Sequence, residues 1–268
     1  SDQAILESLA PENVVVIGRT TLSRSTNNFI KSAKNLIVID PRISEIDSKR
    51  EGNLLLPTLP AQVKCSESDV AIWQKASDIA AGEIATIQWS EQLAIISICE
   101  SIPDQSAFFV GSSRPVRDVE AFCHPRSGLD VFANRGLAGI DGNLSTIFGI
   151  AQEFENTFAI LGDLTFLHDI SALINSAKQK IRIFVIDNNG GAIFSTLPQA
   201  GVENFDQLFG TPHNLDLAKV CAGFNLSVTS VSNMDELQSV LTKEVKGLEV
   251  VIVKVPTRQI NAQKLKEI

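Results

Sequence analysis

Two short apolar runs, Thr157–Leu161 and Ile181–Ile186, bracket a segment of helical period, and this text constrains the fold more than any other part of the chain. Each run is rich in β-branched or aromatic residues and closes on a Gly/Asp/Asn cluster. Gly162-Asp163-Leu164 follows the first, and Asn188-Asn189-Gly190-Gly191 lies just beyond the second. Short runs of this kind read as strands buried on both faces, as in a parallel sheet. Parallel neighbours need a crossover, and Leu164 to Lys178 offers Leu167, Ile170, Leu173, Ile174 and Ala177 at helical spacing. The resulting βαβ unit puts Asp163 and Asn188 at the carboxyl ends of two strands of one sheet, the rim where open α/β sheets bind ligands. A carboxylate, an amide oxygen and a glycine-freed carbonyl suit a hard cation such as Mg²⁺, which usually keeps phosphate oxygens in its shell. Gly-Asp and Asn-Gly after strands are also ordinary turn chemistry, so the pattern alone leaves the two readings level.

The rest of the chain falls into two α/β parts. Asn13–Ile17, a polar stretch to Lys34 and Leu36–Ile39 make one strand–helix–strand turn ending at Asp40-Pro41, and Asn53 to Pro60 reads as a further extended run. Ser66 to Ile102 has helical character and bridges to the second part. There, strands are expected at Phe108–Val110, Val131–Ala133, Phe158–Leu161, Ile181–Ile186, Leu226–Val231 and Leu248–Val255. Helices are expected at Val116–Cys123, Leu144–Phe154, Leu164–Lys178, Leu215–Gly223 and Met234–Lys246, with Asn204 to His213 a loop or short helix near the ligand. Such alternation means a mostly parallel, Rossmann-like sheet covered on both faces.

Composition excludes several classes. The chain is 44% hydrophobic and 20% charged, as soluble globular domains are. A net charge of −8 argues against nucleic acid or an anionic membrane as partner, and no apolar run reaches the length of a membrane span. Cys65, Cys99, Cys123 and Cys221 show no zinc or redox spacing and read as reduced thiols of a cytoplasmic protein. No signal peptide is visible, and Ser1 in place of an initiator Met suggests an excised piece or a processed chain.

The pairing of Gly162-Asp163 with Asn188-Asn189 resembles the motif of thiamine-diphosphate enzymes, in which the Asp, the Asn and a main-chain oxygen hold Mg²⁺ (or Mn²⁺) against the cofactor's diphosphate. That resemblance implies Asp163, Asn188 and the Gly190 carbonyl as ligands, with a register using Asp187 left open. More selective strings surround it: Phe109–Arg117 (FVGSSRPVR), Asn134–Gly142 (NRGLAGIDG) and Asn188–Pro198 (NNGGAIFSTLP). In order and spacing they resemble the menaquinone-pathway 2-succinyl-5-enolpyruvyl-6-hydroxy-3-cyclohexene-1-carboxylate synthase family, clearly from about Phe108 to Pro256 and more weakly before.

The resemblance implies a parallel-sheet, Rossmann-like diphosphate-binding domain over 103–268 with a C-terminal tail. A helical connection over 65–102 would precede it, and the latter part of a central α/β domain would fill 1–64. It implies that Gly162, Asp163, Leu164, Asn188, Gly190, Gly191 and Ile193 contact the cofactor, and that Ile140 wedges beneath it. Ser113, Arg117, Arg135, Phe194 and Leu197 would face substrate; an arginine clamps a carboxylate in two-pronged fashion better than a lysine does. The implied reaction decarboxylates 2-oxoglutarate and adds the succinyl unit to isochorismate, in a homodimer or homotetramer. The catalytic Glu would come from a pyrimidine-binding domain preceding residue 1, so this chain alone is expected to be inactive. His124, His168 and His213 carry no pattern that points to catalysis. The alternatives are another thiamine enzyme of acetolactate synthase or 2-oxoacid decarboxylase type, a nucleotide- or flavin-binding module, and a purely structural fragment. No Gly-x-Gly-x-x-Gly follows a strand to favour the nucleotide module.

Overall fold

Every strand pairing among the described residues is parallel, as unalternated apolar runs require. The computed structural model describes residues 11–18, 22–42, 52–61, 68–174, 179–226 and 228–267. Cys65, the helical reading at 66–67 and the end of the crossover at 175–178 lie outside them. The chain divides into two compact units, Ser1–Thr86 and Ile87–Ile268.

In the first unit β1 (Asn13–Ile17), β2 (Asn35–Ile39) and β3 (Leu54–Leu56) form a sheet in that order. Helix α1 (Arg24–Ser32) starts at Ser23, whose hydroxyl accepts from Thr26 N at 3.2 Å and satisfies one of the free first-turn donors. In α2 (Ser68–Ala85) Trp73 meets Phe29 of α1 edge to face at 5.4 Å. The helical segment expected as one bridge thus ends its first helix at Ala85.

The second unit opens with α3 (Glu91–Ser101), capped by Ser90. Its strands are β4 (Ser106–Val110), β5 (Leu129–Phe132), β6 (Asn156–Gly162), β7 (Lys180–Asp187), β8 (Val228–Val231) and β9 (Leu248–Lys254). The order across the sheet is β5-β4-β6-β7-β9-β8. Helices α4 (Arg114–Phe122), α5 (Asn143–Ile150), α6 (Asp163–His168), α7 (Leu217–Ala222), α8 (Met234–Leu241) and α9 (Arg258–Glu267) complete it.

Alternate residues of each central strand feed two separate cores. Ile181, Ile183 and Val185 of β7 pack with Leu144 and Ile147 of α5 and Leu217 of α7. Phe184 and Ile186 pack on the other face with Ile95 and Ile98 of α3 and Leu237 of α8. Covering both faces removes the side chains of Phe109, Ile160, Leu161 and Ile183 from water almost completely. Burial of that extent contributes about 1.5–3 kcal/mol for each large apolar side chain.

The crossover differs from the expectation of one helix over Leu164–Lys178. Helix α6 stops at His168, and a 3₁₀ turn occupies Ile170–Ile174. The cause is Asp169, whose carboxylate accepts from Ser145 N at 2.7 Å and Ser145 Oγ at 3.2 Å. A residue committed to the first turn of α5 leaves the helical path. Helices α5 and α8 also stop short of the sequence reading, at Ile150 and Leu241.

The connection after β4 runs through α4 to the edge strand β5, whereas the connection after β6 runs through α6 to β7 on the opposite side. The β4/β6 boundary is therefore the topological switch point, where the loops after the two strands diverge and open a crevice.

Candidate functional site

A cavity of about 460 Å³ sits at that crevice. It is lined from β4 and α4 by Ser113, Arg114 and Arg117, and from the loop before α5 by Arg135 and Ile140. The turn after β6 adds Gly162, Asp163 and Leu164, and the turn after β7 adds Asn188, Gly190, Gly191, Ile193 and Phe194. The residues singled out from sequence line it, except the alternative ligand Asp187 and Leu197, which is half-buried one turn further on, its N–H bonded to Phe194 O at 3.1 Å. A larger hollow of about 650 Å³ beside Ser195, Asn204 and Asp206 brings no comparable set of charges together.

Register sets the centre. Gly162 of β6 pairs with Ile186 of β7, so the residues following each strand emerge side by side. Asp163 is 2% exposed; its Oδ1 accepts from Leu164 N at 2.6 Å and its Oδ2 from Gly190 N at 2.8 Å. Gly190 takes φ +132°, and a Cβ there would lie 2.1 Å from Gly210 O. Only glycine permits both that conformation and that approach. The Gly190 carbonyl accepts from Ala192 N at 3.0 Å and keeps a second lone pair.

Asn188 is 5% exposed and gives the clearest sign of a ligand. Its Nδ2 donates to Glu91 Oε2 at 3.2 Å, while its Oδ1 is buried and meets no donor among the described residues. A buried carbonyl oxygen without a partner is costly, and a cation would relieve it. A carboxylate, this oxygen and the Gly190 carbonyl form a donor set of the kind a hard divalent ion takes, so the residues present fit Mg²⁺. Asp187, the alternative ligand, stands beside them with its Oδ1 accepting from Asn189 N at 3.3 Å.

His213 was uninformative in sequence, yet its Nε2 lies 3.3 Å from Asp163 Oδ2 and 3.8 Å from Asp187 Oδ1. These three residues form a group whose ligand atoms lie within 4.8 Å of one another. His213 Nδ1 accepts from Leu215 N at 3.0 Å, which assigns the proton to Nε2. The hydrogen bond to Asp163 raises the imidazole's proton affinity, and burial opposes it. Burial raises Asp187 first, and the Asp163 charge adds to the effect.

Sequence reading also missed Glu91, Arg114 and Asp118. Glu91 opens α3 and is 2% exposed; burial and then the Asp118 carboxylate push it up to about 8, against the pull of Arg114 and Asn188. Burial likewise raises Asp118 to about 6, with Arg114 opposing through an ion pair. Arg114 thus has a carboxylate partner in its own helix turn. Arg135 is exposed, and Arg117 donates to Ser113 O at 2.7 Å. The backbone of Ser113 is strained at φ 76°, ψ −123°, and its hydroxyl makes no cap bond to α4. Ser113 thus precedes α4 without capping it. An acidic residue at a helix start is so ordinary that Glu91 carried no signal in the sequence. His168, 3.2 Å from Asp141 Oδ1, is half-exposed.

A family profile described as "Thiamine pyrophosphate enzyme, C-terminal TPP binding domain" matches residues 116–255. The chain is similar to curated proteins named 2-succinyl-5-enolpyruvyl-6-hydroxy-3-cyclohexene-1-carboxylate synthase. That of Listeria innocua is 31% identical over 93% of this chain and 47% of its own length. Those of Lysinibacillus sphaericus and Thermobifida fusca are 40% and 33% identical, over 64% and 91% of this chain and 31% and 46% of their lengths. The chain spans about half the length of the curated relatives it matches over most of its own.

Proposed function

The chain belongs to the thiamine pyrophosphate enzyme family, among the 2-succinyl-5-enolpyruvyl-6-hydroxy-3-cyclohexene-1-carboxylate synthases, and from that premise we propose that its second unit binds the diphosphate of thiamine diphosphate through Mg²⁺. The observation that carries this reading is the orphaned, buried Asn188 Oδ1 beside Asp163 at the carboxyl ends of β6 and β7. Asp163, Asn188 and the Gly190 carbonyl would hold the metal, and Mn²⁺ would serve the same donors. When bound, the cofactor supplies the electron sink for decarboxylating a 2-oxoacid and joining the remaining carbons to an acceptor.

The chain's own residues position and shield. Gly162, Leu164, Gly191 and Ile193 shape the cofactor's bed, and Ile140 supports it from the loop before α5. Arg117 and Arg135 meet the carboxylates of 2-oxoglutarate and isochorismate with charge-assisted hydrogen bonds, Ser113 orients them, and Phe194 with Leu197 excludes water. An acetolactate synthase or simple decarboxylase would have no use for these arginines. The intact protein is proposed to be a homodimer or homotetramer, and the reaction to belong to a polypeptide longer than this chain, as its relatives are.

Titration calorimetry of thiamine diphosphate, with and without Mg²⁺, tests the reading. Binding should require the metal, and Asp163→Ala should weaken it by a hundredfold or more, roughly the loss of one charged ligand. Metal-independent binding, or an unaffected variant, would refute it.

A further inference from the structure

Asn188 presents an oxygen on one side of its amide and an NH₂ group on the other, and a half-turn about its terminal bond exchanges them. Nothing in the amide itself chooses between the two. The choice is made by what faces the NH₂ group, and that is Glu91 Oε2 at 3.2 Å. Glu91 is itself held in place. It begins α3 next to the Ser90 cap, is 2% exposed, and its N–H donates to Asn261 Oδ1 of α9 at 3.3 Å. Asn261 is anchored in turn by donating to Pro256 O. A rigid acceptor on one side and an oxygen with no donor on the other define a single productive orientation.

We propose that Glu91 is a positioning residue that accepts from Asn188 Nδ2 and so aims Asn188 Oδ1 at the divalent cation beside Asp163. The proposal rests on the cofactor reading above and adds a residue that touches neither metal nor substrate. Outer partners of metal ligands act in this way, and their loss costs about 10–100-fold in metal affinity.

The test uses the full 268-residue chain, thiamine diphosphate and Mg²⁺, with calorimetry for affinity and thermal melting for stability. Glu91→Met removes the acceptor together with a buried carboxyl. It should melt no lower than the unaltered chain, yet bind at least about tenfold more weakly in Mg²⁺. Glu91→Gln keeps an acceptor oxygen in the same place and should stay within about threefold. Asp in place of Asn188 has oxygens on both sides and cannot be misoriented, so Asn188→Asp combined with Glu91→Met should recover metal-dependent binding. A purely structural role for Glu91 would show none of this pattern.

If Asp163→Ala abolishes binding while Glu91→Met binds normally, the positioning role is overturned and the cofactor reading stands. Equal losses in Glu91→Gln and Glu91→Met overturn it too, since charge or packing would then be the cause. Should Glu91→Met fail to fold, Glu91→Gln decides alone, a tenfold loss there counting against the proposal. Absence of metal-dependent binding by the unaltered chain overturns both readings.

Discussion

Glu91, in the cavity lining, and Asp118 both draw on Arg114, and the burial of two carboxyls against so little positive charge has a pH signature. Glu91 is held at about 8 and Asp118 at about 6, both above their ordinary values of 4.5 and 3.8. An acid whose folded value is raised binds its proton more tightly in the native state. The stability this contributes is fully present below the unfolded value and is lost as pH rises through the folded one. The urea midpoint should therefore fall between about pH 5 and pH 9, and Glu91→Gln should flatten the upper part of that fall. A midpoint that rises across this range would contradict the assignment. The residues proposed to hold the metal could be singled out at this scale because Asp163 and Asn188 each sit in a short string with its own turn chemistry. Glu91, Asp118 and His213 were not, since each gains its role from a partner distant in sequence.

Strand β7 shows what an element adds. Its text reads as a buried strand, but Arg182 interrupts it and is 3% exposed. The guanidinium pairs with Glu249, opposite it on β9, at 2.8 Å and donates to the carbonyls of Val240 and Lys243 at 3.2 and 3.0 Å. Val240 lies in the last turn of α8 and Lys243 just beyond it, where carbonyls lack the regular helical donors. One side chain thus joins two strands and closes a helix. Arg182→Ala should cost roughly 3 kcal/mol in urea unfolding, and Arg182→Lys should restore only part, because an ammonium cannot span the same fork of acceptors. A loss below about 1 kcal/mol would mean that the network is dispensable. Strand positions were legible here because full burial imposes a run that is apolar apart from Arg182. The crossover was not, because Asp169 is drawn off by Ser145, a contact that helical spacing cannot encode.

For the whole molecule, all the residues lining the cavity belong to the unit Ile87–Ile268. The proposed cofactor anchoring thus falls within this unit, and the proposed turnover falls to a polypeptide as long as the relatives are. Purified chain given 2-oxoglutarate, isochorismate, thiamine diphosphate and Mg²⁺ should release no CO₂ above background. Steady CO₂ release with loss of isochorismate would show that the chain is sufficient. Cys99 and Cys221 are buried and, like half-buried Cys123, free, as expected of thiols without metal or redox spacing, and no described helix is long and apolar enough to cross a membrane. What the amino-acid order determined unaided was the parallel α/β class and the turns that carry Asp163, Asn188 and Gly190. Strand period and turn chemistry are settled within a few residues of chain. Which distant groups meet was decided only by the strand order β5-β4-β6-β7-β9-β8 and by helix packing, which bring Glu91 under Asn188 and His213 against Asp163. Burial gives those contacts their force, and burial belongs to the folded assembly of elements, not to any one stretch of sequence.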